Sequence, residues 1–495
     1  MSFGFAHSRP AGIWLLAVAS LAACGGDGGG AGSDPPSDAF NFPVGLAVSA
    51  GGSALYVANA DFDLQYNAGT ILSLDLKAIR AAAAESAAKP CSRTDVPQGS
   101  TLGQICAPPV GLKGFLRSTV QIGAFASDLQ ISTVGFRKDG ADYRRLYTPV
   151  RGTASVVWVD VPDDQKGGDP HRLDCGGGKR CDVAHNAGNR ASEPGNTRGI
   201  TMPGEPTVMA QSSDGAALVI GHVGTDQLSL LSTGLPAGAA PSLQFVLTNL
   251  KNSAGGLVTL PAAVATPGQD LLVSSRNGGI VNKVRYVPDD SSAIPRPYLA
   301  FARNYQVAGN GSGYDSRGMV VDSSAREACV RSGGGEACAA VAMPVFIANR
   351  SPASVLYGQL APVRGGAGDE LTLTGSLPLP LGPSRLYLSP IIDEQGLLRR
   401  RLFAVSFDAA SVVAVDTETL RVEGTVRTGP GPYTLAFDVE GPTLTAGATA
   451  PSDYRFMYVG SFTQSFVQVI DLDRRSPTYL RVVYTLGVPR SPKGS

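Results

Sequence analysis

The sequence is poor in the features that mark many enzymes and nucleic-acid-binding proteins. Its 41 basic and 41 acidic side chains give a formal net charge of zero, so no basic field favours nucleic acid. Only 4 histidines occur in 495 residues, which limits schemes for general-base catalysis. The sequence has no nucleophile elbow in a strand-to-helix context, no His-Glu-x-x-His and no phosphate-binding Gly-Lys-Ser/Thr loop. The absence of these motifs and the small number of histidines favour a role other than catalysis.

Long hydrophobic runs are also missing, except near the N-terminus. Ile13 to Ala23 is a largely apolar stretch that is too short to span a bilayer but suits the core of a signal peptide. It ends in Leu21-Ala22-Ala23-Cys24, which resembles the lipobox of bacterial lipoproteins. The resemblance implies cleavage before Cys24, acylation of that cysteine with palmitate-type chains, and membrane attachment through the lipid. An ordinary signal peptide with a chance cysteine is the alternative.

The N-terminal pattern divides the chain into three parts. We expect a lipoprotein signal peptide over residues 1–23, a flexible tether rich in Gly, Pro, Ser and Asp over 24–39, and one folded domain over 40–495. In lipoproteins, an Asp after the acylated cysteine often retains the product at the inner membrane. Gly25 stands there instead, so we expect delivery to the outer membrane, facing the periplasm or the cell surface.

Seven cysteines support an oxidising compartment. Without Cys24, six remain, and they form three pairs that are local in sequence, although six cysteines allow fifteen connectivities. Each pair brackets a loop that contains Gly or Pro. The expected disulfides are Cys91–Cys106, Cys175–Cys181 and Cys329–Cys338.

The rest of the chain repeats one strand-rich unit. Short apolar or alternating runs are separated by Gly, Ser, Asp and Pro, as in Leu402 to Asp438, and such runs predict strands and hairpins. Seven units begin near Pro43, Ala126, Glu205, Pro261, Arg317, Gly382 and Gly431. We therefore predict an all-β fold, a seven-bladed β-propeller with a short inserted helix over Leu76 to Ala88 and disulfide-bearing loops. A β-sandwich array and a transmembrane barrel are less consistent with seven restarts of the same pattern.

The recurring sequence motifs of these units resemble those of the YVTN family of bacterial β-propellers. Matching segments are Pro43 to Asn59, Val345 to Asn349, Val412 to Asp416, Thr425 to Pro432 and Val467 to Asp471. The resemblance implies the propeller fold over most of Pro43 to Asp473 and says little about function. The second and fourth units depart from it most.

Alignment of the units places polar residues at one repeated position, the turn after the second strand. In a propeller these turns gather around the mouth of the central channel, where converging polar groups can bind a ligand. The alternative is that turns are polar without any ligand. The predicted ligand-binding residues are Asn59, Asp61, Arg151, His222, Arg276, Asn277, Asn349, Arg350, Asp408 and Thr463.

Three further groups of residues invite an interpretation. His171, Cys175, Cys181 and His185 could hold a zinc ion, but their spacing matches no common motif and the compartment favours a disulfide. The sequence otherwise indicates no cofactor. We expect Trp158 to pack between blades, and we interpret Arg399 to Arg401 as a solvated strand edge or turn.

Two functions remain open at this point. The favoured one is a lipid-anchored envelope propeller that binds or scaffolds another envelope protein or a surface polymer, without catalysis. The alternative is a hydrolase resembling propeller lactonases, in which Asp61, His222, Arg276 and Asp408 would be the catalytic candidates. A deep channel that clusters Asp61, His222 and Asp408 would favour the enzyme. A channel plugged by side chains beside an exposed apolar patch would favour the binder.

Overall fold

The computed structural model describes most of the chain between residues 32 and 490. The described ranges are 32–88, 109–250, 254–260, 268–288, 295–307, 314–362, 368–390, 392–394, 397–438 and 455–490. The predicted signal peptide, Cys24 and the expected Cys91–Cys106 pair lie outside these residues.

Seven antiparallel sheets follow one another along the chain, and each is built from contiguous sequence. Blade 1 contains β1 (Pro43–Val48), β2 (Ala54–Asn59), β3 (Gly69–Asp75) and β4 (Leu116–Ile122). Blade 2 contains β5 (Gln130–Ile131), β6 (Phe136–Lys138), β7 (Ala141–Val150), β8 (Ser155–Pro162) and β9 (Asn186–Ala187). Blade 3 contains β10 (Pro206–Gln211), β11 (Ala217–His222), β12 (Leu228–Ser232) and β13 (Ser242–Leu247).

The remaining blades repeat the four-stranded order. Blade 4 contains β14 (Ala254–Thr259), β15 (Gln269–Ser275), β16 (Ile280–Val287) and β17 (Tyr298–Gln306). Blade 5 contains β18 (Ser316–Val321), β19 (Met343–Asn349), β20 (Ser354–Pro362) and β21 (Asp369–Pro378). Blade 6 contains β22 (Pro383–Leu388), a small hairpin of β23 (Ile392–Glu394) and β24 (Leu397–Arg399), then β25 (Arg401–Ser406), β26 (Ser411–Asp416) and β27 (Val422–Arg427). Blade 7 contains β28 (Pro432–Phe437), β29 (Phe456–Ser461), β30 (Phe466–Asp471) and β31 (Arg481–Leu486).

These sheets form the predicted seven-bladed β-propeller, and the fold prediction is confirmed. The core lies between neighbouring blades: Phe403 and Val405 of blade 6, for example, pack in one cluster with Leu435 and Met457 of blade 7. Removing a side chain as large as Phe403 from water contributes roughly 1.5–3 kcal/mol. Because both faces of each sheet are covered in this way, the second and third strands read as apolar runs rather than as strict alternations.

Glycines allow the first strands to come close together around the channel. A Cβ atom on Gly45 would lie 2.4 Å from the backbone nitrogen of Leu129, and one on Gly318 would lie 3.0 Å from the Cα atom of Arg385. Both glycines are the third residue of their strand, where the pairing with the second strand is irregular. The first strands therefore form a narrow ring, with space for a large side chain at only some positions.

The ring closes without exchange of a strand between the first and last blades. The insertion of blade 1 carries the helix α1 (Leu76–Ala87), whose buried face packs with residues of blade 7 such as Phe456 and Leu486. Val110 then pairs in parallel with Leu486, the last residue of β31, through two backbone hydrogen bonds of 3.0 and 2.7 Å. An ion pair between Arg80 of α1 and the buried Asp438 joins the two blades as well.

Several local predictions can be compared with these elements. The short helix after Leu76 is confirmed. The fourth unit starts earlier than predicted, because its first strand is Ala254–Thr259 and not the segment from Pro261. The cysteine loop of blade 5 contains a second helix, α2 (Ser324–Arg331), where we expected only a turn. Trp158 packs with residues of blade 3, including Met209 and Leu218, as predicted.

The described end of the expected tether, residues 32–38, contacts blade 1. The carbonyl oxygen of Ser33 accepts a hydrogen bond of 3.1 Å from the backbone of Asn67, and the Asn67 side chain donates to Gly32 and Asp34. Pro35 is buried. In the described residues, no helix has the length and apolar character needed to cross a membrane.

Candidate functional site

The turns between the second and third strands lie on one face of the propeller, together with the connections that enter each first strand. This follows from the antiparallel order of every blade, since the second strand always ends beside the start of the first strand. The residues predicted to bind a ligand are therefore distributed around one mouth of the channel. Some of them support the turns from below, and others reach the surface.

The residues at the ends of the second strands support the turns. Asn59, His222 and Asn349 occupy equivalent positions and are fully or almost fully buried. Asn59 accepts a hydrogen bond from the backbone of Asn41, His222 contacts the carbonyl oxygen of Gly204, and Asn349 donates to that of Pro352. Each polar side chain thus fixes a neighbouring loop.

Thr463 has a comparable role in blade 7. Its hydroxyl group donates a hydrogen bond of 2.7 Å to the carbonyl oxygen of Pro430, which also accepts one from Ser461. Arg151 pairs with Glu205 at the start of blade 3, with 2.6 Å between Nε and Oε2. Asn277 is exposed in the turn of blade 4.

An arginine-rich cluster spans blades 4 to 6 on the same face. We call it the arginine cluster and define it as Arg276, Arg317 and Arg350 with their carboxylate partners Asp315 and Asp408. Arg317 makes two hydrogen bonds of 2.6 Å to Asp315, and Arg350 makes two to Asp408, of 2.7 and 2.8 Å. Three guanidinium groups face two carboxylates, so the cluster carries one surplus positive charge.

Arg276 is the least satisfied member of the arginine cluster. Its nearest carboxylate is that of Asp315 at 3.8 Å, which is beyond hydrogen-bond distance, and no hydrogen bond to its guanidinium group is found within the described residues. Burial, together with the neighbouring guanidinium groups of Arg317 and Arg350, lowers the pKa of Arg276. A positive charge held in this environment favours the approach of an anion.

An aromatic cluster occupies the other side of the mouth. We define it as Phe42, Phe62, Phe125, Phe407, Tyr433 and Phe462, which come from blades 1, 6 and 7 and from the connection into blade 2. The ring centroids of Phe62 and Phe462 are 5.2 Å apart in a T-shaped arrangement, and those of Tyr433 and Phe462 are 5.6 Å apart. Phe62 is 47% exposed and Leu64, in the same turn, is 59% exposed. The cluster therefore presents an apolar surface to solvent.

The two clusters meet at Tyr433 and Arg385. The guanidinium group of Arg385 lies 4.5 Å from the centre of the Tyr433 ring. The same tyrosine acts to raise the pKa of Arg276, against the larger effect of burial. A cation above an aromatic face is attracted by the negative ring centre. The mouth therefore combines flat apolar surfaces and guanidinium groups in one continuous area.

The channel below the mouth is crossed by an ion pair. Arg385 in the first strand of blade 6 reaches Asp128 at the start of blade 2, with 2.9 Å between Nη1 and Oδ1, and also donates to the carbonyl oxygen of Ser127. Burial alone would lower the pKa of Arg385, but the Asp128 carboxylate together with Tyr433 and Tyr387 outweighs it and holds the pKa above its ordinary value. Arg385 is the third residue of its strand, where blades 1, 4 and 5 have glycine, and Asp128 lies two residues before β5. The pair narrows the channel below the mouth.

Asp61 differs from the other polar residues of the mouth because its carboxylate is buried without a cation. Its Oδ1 atom accepts hydrogen bonds from Asn41 at 3.1 Å and from the backbone of Tyr66 at 3.3 Å, while Oδ2 has no partner among the described residues. Burial raises the pKa of Asp61 to about 6, against the effect of these two hydrogen bonds. Its backbone has a φ of 51°, a conformation that Asp tolerates better than most residues.

The four candidates for catalysis are not joined to one another. Within the described residues, no hydrogen bond or ion pair links Asp61, His222, Arg276 and Asp408. Both ring nitrogens of His222 have local partners, the Gly204 carbonyl oxygen at 2.9 Å and the Ser229 hydroxyl group at 2.8 Å. Burial lowers the pKa of His222, so the ring is neutral near pH 7.

The possible zinc ligands are also separated by the fold. Cys175 and Cys181 form the expected disulfide, as do Cys329 and Cys338. His171 contacts the hydroxyl group of Ser73 at 2.9 Å, whereas His185 contacts Asp182 and packs against Trp158 with the ring planes tilted by 38°. In the part of the chain that the structure describes, no group of three or more His, Cys, Asp and Glu side chains is arranged for a metal ion.

The interpretation of Arg399 to Arg401 as a solvated strand edge or turn was wrong for Arg401. Arg401 is 3% exposed and pairs with Glu423 at 2.8 Å, so it is part of blade 6. Arg400 lies between β24 and β25, is partly exposed and lines the channel on the side opposite the mouth. A run of three arginines reads as a surface feature, but here its last member begins β25 and is buried within the blade.

Sequence reasoning missed the aromatic cluster and the Arg385–Asp128 pair. The sequence does contain a signal for the aromatic cluster, because Phe407 and Phe462 both follow the second strand of their blades directly. No local sequence signal indicates the Arg385–Asp128 pair, since 257 positions separate the two residues.

Comparisons with known proteins do not assign the chain to a family. No family model matches, and no curated protein matches. Among solved structures, the chain is similar to a protein from Lactobacillus plantarum, with 13% identity, a TM-score of 0.44, and coverage of 80% of this chain and 87% of the other. It is also similar to a putative 6-phosphogluconolactonase from Bacteroides fragilis, with 14% identity, a TM-score of 0.44, and coverage of 79% and 86%.

A third similar structure is the periplasmic gluconolactonase of Pseudomonas aeruginosa, with 14% identity, a TM-score of 0.43, and coverage of 79% and 86%. The blades and the side chains around the channel define the protein as a seven-bladed β-propeller with a mixed aromatic and arginine-rich mouth.

Proposed function

We propose that this propeller binds an anionic polysaccharide at its mouth without chemically changing it. The observation that supports the proposal most strongly is the proximity of the exposed aromatic cluster and the arginine cluster at one mouth, where Phe407 of the first and Asp408 of the second are consecutive residues. Sugar rings present flat C–H faces that pack on aromatic side chains, and uronic acids add carboxylates. A guanidinium group offers a planar fork of N–H donors that matches a carboxylate. An acidic polymer therefore fits both halves of the surface at once.

The crossed channel also favours binding over catalysis. The Arg385–Asp128 pair limits the depth of the mouth, which leaves a shallow surface that suits a segment of a long polymer. Aromatic side chains contribute large contact areas with little loss of conformational entropy. The surplus positive charge of the arginine cluster would attract an acidic polymer over a distance of roughly one Debye length.

An envelope location agrees with this proposal. The lipobox-like Leu21 to Cys24 supports attachment to a membrane through a lipid, and the disulfides support an oxidising compartment. We propose that the protein is anchored by Cys24 and meets acidic polymers at the cell envelope. A protein partner is the competing occupant of the same surface.

Affinity electrophoresis and calorimetry with polygalacturonate test the proposal. The expected result is measurable binding of polygalacturonate and at least tenfold weaker binding of the neutral polymer dextran. Phe62→Ser should weaken binding about fivefold, because an aromatic contact contributes about 1 kcal/mol. Arg276→Gln should weaken it about tenfold, since a hydrogen bond to a charged group contributes about 1.5 kcal/mol or more.

Matched controls exist in the same chain. Phe301 is 47% exposed, like Phe62, but it lies on the outer strand of blade 4. Arg427 is exposed on the outer strand of blade 6. Phe301→Ser and Arg427→Gln should leave binding unchanged. Equal losses in the control and mouth variants, or no binding of polygalacturonate, would refute the proposal.

A second candidate function, hydrolysis of a lactone, is favoured by one observation. The pKa of Asp61, raised to about 6, and its unpartnered Oδ2 suit a general base near neutral pH. Hydrolysis of glucono-δ-lactone, followed by acid release, tests this function. Turnover that is abolished in Asp61→Asn would support the enzyme, whereas rates equal to the uncatalysed reaction would exclude it for this substrate.

A further inference from the structure

A cavity of about 730 Å³ occupies the channel, and its lining includes Asp128 and Arg385 as well as Arg317 of the arginine cluster. It is lined by the first strands of all seven blades and extends past their ends to Ser389 and Arg400, at the opposite face. We call it the lower cavity. Its size is in the usual range for small-molecule sites.

Much of the wall of the lower cavity is apolar, and Val48, Met209, Met319, Leu388 and Phe437 are among the lining residues. The charged side chains in the lining are Asp128, Arg317 and Arg385 toward the mouth and Arg400 at the opposite end. The apolar part can surround the hydrocarbon part of a small molecule. The apolar walls alone would not distinguish one hydrocarbon from another.

Arg400 supplies the charge at the open end of the lower cavity. Its only described side-chain hydrogen bond is a long one, 3.4 Å from Nη1 to Asp322, and its Nε is buried without a partner among the described residues. A guanidinium group has five N–H donors, and leaving a buried donor unpaired is unfavourable. An anionic group would satisfy donors that the described residues leave open.

We propose that the lower cavity binds a small amphiphilic anion, which has a carboxylate or phosphate monoester group on a compact apolar body. The anionic group contacts Arg400, and the apolar body packs against the first strands. The Arg400 site lies at the end of the channel opposite the mouth, whereas the Arg385–Asp128 pair lies nearer the mouth. It therefore does not depend on the polysaccharide proposal.

Calorimetry with three probes of similar shape tests the proposal. Octanoate and octyl phosphate distinguish the two anionic groups, and octanamide is the neutral counterpart. The expected result is binding of one or both anions with an affinity at least tenfold higher than that of octanamide. Arg400→Gln should remove this preference, whereas Arg427→Gln, on the outer strand of blade 6, should keep it.

A second variant tests the location independently of Arg400. Ala436 lines the lower cavity, so Ala436→Leu should reduce the space and weaken binding of the preferred anion at least fivefold, with polygalacturonate binding unchanged. Melting temperatures of both variants report whether the fold is retained. Equal affinity for octanamide and the anions, absence of binding, or an unchanged preference in a folded Arg400→Gln variant would overturn the proposal.

Discussion

The buried carboxylate of Asp61 predicts an unusual dependence of stability on pH. Its pKa in the folded protein is about 6, whereas the ordinary value is 3.8. The folded state therefore holds the proton more tightly than the unfolded state does. The stabilisation by protonated Asp61 is fully present below pH 3.8 and is lost as the pH rises through 6. A shift of about 2 units corresponds to about 3 kcal/mol.

Asp61→Asn removes this charge with little change in shape. The amide can still accept the hydrogen bonds of Asn41 and Tyr66, and Asn also tolerates the positive φ at this position. Relative to the wild type, the variant should therefore gain up to about 3 kcal/mol between pH 4 and pH 7. For a folded domain of this length, that difference corresponds to about 3 °C in melting temperature.

Thermal unfolding of both proteins at pH 4, 5, 6 and 7 measures this effect. Asp226→Asn, at an exposed aspartate in the corresponding turn of blade 3, controls for the change in net charge. The expected result is a difference between wild type and Asp61→Asn that grows as the pH rises from about 4 and levels off above pH 6. A constant difference across this range, or loss of stability in Asp61→Asn at pH 7, would refute the reasoning.

Three further predictions concern the channel, the ring closure and the anchor. Arg385→Met should lower the free energy of unfolding by about 3 kcal/mol, because it leaves the Asp128 carboxylate unpaired, and adding Asp128→Leu should restore most of the loss in denaturation experiments. Asp438→Asn should accelerate amide hydrogen exchange in α1, measured by mass spectrometry, since it removes the ion pair with Arg80 that holds this helix on blade 7; unchanged exchange would contradict that role. Cys24→Ser should move the protein from the membrane fraction to the soluble fraction of cells, and retention in the membrane fraction would exclude a lipid anchor at this residue.

The blades could be predicted because their signals are local. Each second and third strand is a short apolar run bounded by turn residues, and the helix after Leu76 begins at Asp75, whose carboxylate accepts a hydrogen bond of 2.9 Å from Ala78. Such patterns do not depend on distant parts of the chain. The architecture followed from their sevenfold repetition.

The start of blade 4 was misplaced for a physical reason. Gly255 and Gly256 look like a turn, but they are part of the first strand of that blade. A Cβ atom on Gly255 would lie 1.8 Å from the carbonyl oxygen of Ser316, and one on Gly256 would lie 2.9 Å from the backbone nitrogen of Met319. The glycines are needed because blade 5 comes so close, and sequence patterns alone do not show this contact.

The candidate site was predicted only in part. Arg276, Arg350 and Asp408 were selected as turn residues and do lie together with Asp315. The aromatic half of the mouth depends on contacts such as that of Phe62 with Phe462, which join blades at opposite ends of the chain. Only the closure of the ring brings these residues together.

Hydrogen–deuterium exchange with bound polygalacturonate tests the central claim most directly, since it locates the ligand without any substitution. We predict that bound polygalacturonate protects the backbone amides of the turns at residues 60–67, 276–279 and 407–410 from exchange, and that it does not protect the outer strands. Protection confined to the outer strands or to the face opposite the mouth would contradict it.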